Sequence, residues 1–104
     1  MTTNQAGNAA GWGPDSGAWV AWSRSLIQNR LAQHARGIDR ADEALLRGAY
    51  HDDGTLDYGS LQGSAAGFAA AIAAMHARAP MSLHRTSNLT TVIEGQTAIS
   101  ESYE

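Results

Sequence analysis

The sequence predicts an α+β fold in which helices come first and antiparallel strands last. Three observations lead there. From Ala18 onward, Val20, Ile27, Leu31, His34 and Ile38 fall on one stripe at helical spacing, with Trp22 and Leu26 beside it. Ser64 precedes Phe68, Ile72 and Met75, an i, i+4, i+7 stripe behind a residue suited to cap it. After Met81 the pattern becomes strand-like, and Glu94-Gly95 divides it into two runs that should pair as a hairpin.

The elements follow in order. Residues 1–17 are rich in Gly, Asn, Thr and Ala and carry Gly13-Pro14, so they read as a disordered leader ahead of a domain over residues 18–104. The first helix should end near Gly37. Asp39 should begin a second, shorter helix with Leu45, Leu46 and Ala49 on its apolar side. His51-Asp52-Asp53-Gly54 is turn chemistry, and Thr55 to Tyr58 reads as a short strand closed by Gly59. The third helix should stop before Pro80. Met81 to Glu94 and Thr97 to Glu104 are then two strands, with Leu26, Ile27, Leu31, Leu45, Leu46, Phe68, Ile72, Leu89 and Ile93 in the core. Two strands with polar alternate residues are marginal alone, so further strands are expected beyond Glu104.

Composition narrows the function. Ten acidic residues stand against seven arginines and no lysine, for a net charge of -3, which gives no basic field for nucleic acid. With no cysteine, disulfides, thiolate nucleophiles and zinc-thiolate sites are excluded. The apolar run Ala65 to Met75 is far short of the roughly 20 residues that span a bilayer, and the first residues lack a secretory pattern. A cytoplasmic protein without membrane or nucleic-acid partners is expected.

Asp39, Tyr58 and His84 are the candidate catalytic residues. An acid, a phenol and an imidazole can move a proton to or from a carbon acid near neutral pH. A carboxylate on one imidazole nitrogen fixes the tautomer and leaves the other nitrogen to take the proton. Each residue also has a structural reading. Asp39, three residues before Asp42, has the place of an N-cap. His84 shares a strand face with Thr86, Asn88 and Thr90, which is either solvent-facing or turned to a pocket by a bulge. Tyr58 could be a half-buried sheet aromatic, His34 a core or pocket-lining histidine, and Trp19 and Trp22 packing residues. Three adjacent side chains in a turn cannot converge on one ion, so His51, Asp52 and Asp53 suggest no metal. Asn88-Leu89-Thr90 matches the glycosylation sequon by chance, inside a strand.

Three stretches carry a family resemblance: Leu26 to Asp42, Tyr50 to Gly59, and Leu83 to Leu89. In this order and spacing the chain resembles the SnoaL-like group of the NTF2-like superfamily, a cone of three helices packed in a curved antiparallel sheet. The resemblance implies that the last strands of that sheet lie beyond a C-terminally truncated chain. Scytalone dehydratase, bile-acid dehydratase and hexachlorocyclohexane dehydrochlorinase are the similar enzymes. It implies that Asp39, at the end of the first helix, holds His84, which moves the proton, while Tyr58 polarises a substrate carbonyl through water. Ile38 stands where the dehydratase type has a second tyrosine; with His34 and Asn88 it would line the pocket. The implied activity is a cofactor-free lyase or isomerase on a small apolar or cyclic molecule, in a homo-oligomer when full length. Two alternatives stay open. One is a ligand-binding module that keeps the cone without the chemistry, and the other is the structural small subunit of a ring-hydroxylating dioxygenase.

Overall fold

The computed structural model describes residues 16–78 and 82–103. The expected leader lies almost wholly outside them. Helix α1 spans Gly17–Asp39, α2 Glu43–Arg47 and α3 Ala65–His76; strands β1 and β2 are Thr55–Asp57 and Gln62–Ser64, and β3 and β4 are Ser87–Glu94 and Thr97–Tyr103. Among the described residues the strands form two antiparallel pairs, β1 with β2 and β3 with β4.

Helix α1 starts where Ser16 can cap it, its Oγ accepting the Trp19 N–H at 3.0 Å. The helix runs two residues past Gly37, where it was expected to end. Gly37 is needed inside the last turn because a Cβ there would meet the Leu46 backbone at 2.8 Å. Two bonds close the end of the helix, Ala41 N–H to the Ile38 carbonyl at 3.1 Å and Asp42 N–H to the Gly37 carbonyl at 2.9 Å. That is a Schellman pair with Ala41, at φ +52, in the left-handed position usually filled by glycine.

Asp39 therefore ends α1 and does not begin α2. The cap of α2 is Asp42, whose Oδ1 accepts the Leu45 N–H at 2.9 Å. Ser64 caps α3 as expected, accepting the Gly67 N–H at 3.1 Å.

The described residues divide into two compact units, one within 30–85 and a second made of residues 16–29 with 86–103. In the first, Ile38, Leu46, Phe68 and Ala69 form the buried cluster, with Tyr50, Leu56 and Ile72 against it. Ala65, Ala69 and Ala73 recur every four residues on α3 and are buried. Met75, expected to extend the Phe68 stripe, is 59% exposed. The stripe continues instead through Ile72 to His76, both half-buried. Strand β2 was not foreseen. It pairs Leu56 with Gly63 and Asp57 with Gln62, and all three of its residues are exposed.

In the second unit β3 and β4 pair from Glu94 opposite Thr97 back to Ser87 opposite Tyr103. Gly95 supplies the positive φ of +57 at the turn. Trp19 Nε1 donates to the Gly95 carbonyl at 2.7 Å, and Arg24 Nη1 to the Thr91 carbonyl at 3.0 Å. A bulge interrupts the ladder between Ser87 and Thr90, with Asn88 at φ +52. Of the expected core, Leu46 and Phe68 are buried, Leu26 is exposed, and Ile27, Leu31, Leu45, Ile72, Leu89 and Ile93 are half-buried.

Candidate active site

Met81, where the long strand was expected to begin, lies outside the described residues, and among them the strand begins at Ser87. Residues 82–84 are held by a side chain instead. Asp39 accepts the Ser82 hydroxyl on Oδ1 at 3.1 Å and the His84 backbone N–H on Oδ2 at 2.9 Å, and its Oδ1 also meets His84 Nδ1. The ladder runs out at Ser87, opposite Tyr103 at the end of β4, and the segment before it bonds to Asp39 instead.

A helix C-terminus is a poor place for a carboxylate, because the macrodipole puts negative charge there. Burial also opposes ionisation of Asp39, yet the hydrogen bonds from the His84 imidazole, the His84 amide and Ser82 outweigh it and hold the carboxyl below its ordinary 3.8. An ionised carboxylate only accepts, so His84 Nδ1 carries the hydrogen and Nε2 is the basic edge. The side chains are 15% exposed for Asp39 and 29% for His84, enough to be reached from solvent without being dissolved in it.

A second imidazole stands close by. The His76 ring lies with its centroid 6.2 Å from that of His84, at 54°. Nothing in the sequence reading had singled it out. The signal was present: His76 is eight residues beyond Phe68 and four beyond Ile72, on the stripe that faces inward.

The aromatic residues gather around Phe68. Its ring stacks on Tyr58 at 5.4 Å and on His34 at 6.3 Å, and Tyr50 meets it edge-on at 6.2 Å. Tyr58 is 56% exposed at the β1–β2 turn and belongs to this group, whereas the described partners of Asp39 are His84 and Ser82. Ile38 is buried in the core at 7% exposure, and Asn88 is exposed at its bulge. A cavity of about 310 Å³ opens beside Phe68, walled by Leu56, Leu61, Gly63 and Gly67. Its lining includes none of Asp39, His84, His34, Ile38 or Asn88. Rise along α3 explains the separation: eight residues from Phe68 to His76 cover roughly 12 Å.

His51 is exposed in its turn, where Arg47 donates to the carbonyls of Tyr50, His51 and Asp52. Among the described residues no three His, Cys, Asp or Glu side chains are grouped to hold a metal ion. No helix among them is long and apolar enough to cross a membrane.

The family model of the SnoaL-like domain matches residues 19–104. The chain belongs to the SnoaL-like family of the NTF2-like superfamily. Its α+β architecture of helices and antiparallel strands is that of the family. No curated protein and no solved structure matches this SnoaL-like chain. The match reaches from the first turns of α1 through the last described residue of β4, so Asp39, His76 and His84 all fall inside it.

Proposed function

We propose that this SnoaL-like domain is a cofactor-free lyase or isomerase that removes a proton from a carbon next to a carbonyl or a leaving group. His84 Nε2 is the base. Asp39 fixes the tautomer and stabilises the imidazolium that forms. The observation that supports the reading is the double hold of Asp39 on His84, through Nδ1 and through the backbone amide. A carboxylate that served only the helix would not sit at its C-terminus. Tyr58, the expected carbonyl-polarising residue, stacks on Phe68 and has no part in the proposed proton transfer.

The cavity beside Phe68 favours a second reading, a ligand-binding module, because the dyad does not line it. Assay decides between the two. A panel of small β-hydroxy ketones and β-halo ketones should be turned over by the natural chain. His84→Ala should lower the rate by roughly 10²- to 10⁴-fold, and Asp39→Asn by a comparable part. Binding of such compounds at the cavity with no turnover, or turnover indifferent to His84→Ala, would leave the binding reading alone.

A further inference from the structure

The cavity of about 310 Å³ beside Phe68 has no part in the proposed proton transfer. Its walls are apolar: Leu56 from β1, Leu61 from the β1–β2 turn and the Phe68 ring from the first turns of α3. Among the described residues no charged side chain lines it. Its two polar side chains are already engaged within the chain, Gln62 Nε2 donating to the Gly59 carbonyl at 3.1 Å and Ser64 Oγ accepting the Gly67 N–H at 3.1 Å. A charged ligand would leave water and meet no group of opposite sign, so the cavity selects an uncharged one. Volume narrows the class further. A void of about 150 Å³ between aliphatic and aromatic side chains holds one benzene, and this cavity, about twice that size, has room for two fused rings. Gly63 and Gly67 present bare backbone to it, so a flat ring can lie against their peptide planes. Tyr58 stacks on the Phe68 ring at 5.4 Å and 17°, which holds that wall in one orientation. Leu61, 37% exposed, is apolar surface that such a ligand would cover.

We propose that this cavity is a binding site for a small uncharged molecule of two fused aromatic rings, separate from the dyad, so that its occupant is not the substrate of His84. Neither Asp39 nor His84 lines it. The proposal rests on the reading of the cavity as a ligand site, and it is independent of whether His84 is a base.

The test titrates the natural chain with 2-naphthol, phenol and 2-naphthoate, followed by NMR. The first should bind saturably, with a dissociation constant on the order of 0.1 mM, and shift the resonances of Leu56, Leu61 and Phe68. Phenol, one ring smaller, and 2-naphthoate, charged, should each bind roughly tenfold more weakly or worse. A Cβ at Gly67 would meet the Ser64 Oγ at 3.2 Å and nothing else described within 4 Å, so Gly67→Leu carries its side chain into the cavity and should weaken 2-naphthol at least tenfold. Leucine is also the better helix former, and thermal unfolding checks that this variant folds. Leu61→Asp, at an exposed turn, tests the same wall by adding charge and should weaken 2-naphthol likewise. Ala66→Leu, the neighbouring exposed position outside the lining, and His84→Ala should leave its affinity unchanged. Phenol or 2-naphthoate binding as tightly as 2-naphthol overturns the ligand class and leaves the cavity as a ligand site. Weakening by His84→Ala overturns the separation from the dyad. Failure of all three probes to bind, or binding indifferent to both Gly67→Leu and Leu61→Asp, overturns the reading of the cavity itself.

Discussion

The carboxylate of Asp39 takes the backbone N–H of His84 on one oxygen and its imidazole Nδ1 on the other. A single side chain therefore shapes the segment after α3 and sets the tautomer of the ring within it. Ser82 adds a third bond, and the three together oppose both burial and the unfavourable end of the α1 dipole. Removing the carboxylate should loosen residues 82–84 as well as change the chemistry of His84.

The dyad gives stability a particular pH dependence. A carboxyl held below its ordinary 3.8 in the folded state stabilises fully above that value, and the contribution is lost as pH falls through the lower, folded value. Asp39→Asn should cost about 1–2 kcal/mol near neutrality, a modest figure for charged hydrogen bonds because both side chains keep some solvent contact. Below the ordinary carboxylate range the variant and the natural chain should converge. Chemical denaturation across that window checks it, and a gap that persists in acid would mean the carboxylate's charge is not what stabilises.

Phe68 is the centre of the aromatic group and touches the cavity, so truncating it combines lost burial with an enlarged void. Phe68→Ala should cost roughly 3–5 kcal/mol. Phe68→Leu should cost much less and still disturb the ring of Tyr58, which stacks on it. Thermal unfolding measures the first effect and aromatic NMR shifts the second.

Much of this was readable from residue order alone, for reasons that can be named. Ser64 and the Phe68–Ile72 spacing are local signals, and α3 obeys them. Gly95 announces the β3–β4 turn because a positive φ has a sequence signature. Asp39 and His84 were both recognisable as residue types suited to proton transfer. Their bonding was not, since Asp39 and Asp42 look equally like caps and only the path of α1 past Gly37 assigns the cap to Asp42. Strand β2 was invisible because Gln62-Gly63-Ser64 has no apolar residue to alternate and is held by pairing with β1. The late start of β3 follows the register that sets Ser87 opposite Tyr103, and the segment before it is held by a bond across 45 residues to Asp39, which no window of local pattern contains. His76 was passed over because Met75 extends the apolar stripe equally well on paper.

The end of α1 holds an alanine where the backbone favours glycine. Ala41 has φ +52, a conformation that costs a residue with a Cβ roughly 1 kcal/mol or more. Ala41→Gly should therefore stabilise the protein by about 0.5–1 kcal/mol, the gain being trimmed by the greater freedom of glycine in the unfolded chain. Urea denaturation reads it directly. A loss of stability would show that the Ala41 methyl makes contacts worth more than the strain.

Four residues earlier the reverse exchange should fail. Gly37→Ala puts a better helix former into the last turn of α1, worth about 0.8–1 kcal/mol in an exposed helix. Here its methyl would lie 2.8 Å from both the Leu46 Cα and the Leu46 backbone nitrogen, which cannot rotate away as a side chain could. Overpacking of that kind costs typically 1–3 kcal/mol, so it should win, leaving the variant less stable by about 1–2 kcal/mol. The strain falls two residues from Asp39. If α1 backs away from α2 to relieve it, the carboxylate moves with the helix end, and the His84 ring resonances should shift in the still-folded protein. Unchanged His84 resonances together with unchanged stability would mean that α1 and α2 can separate at no cost, and that the close approach of Gly37 to Leu46 does not position the dyad.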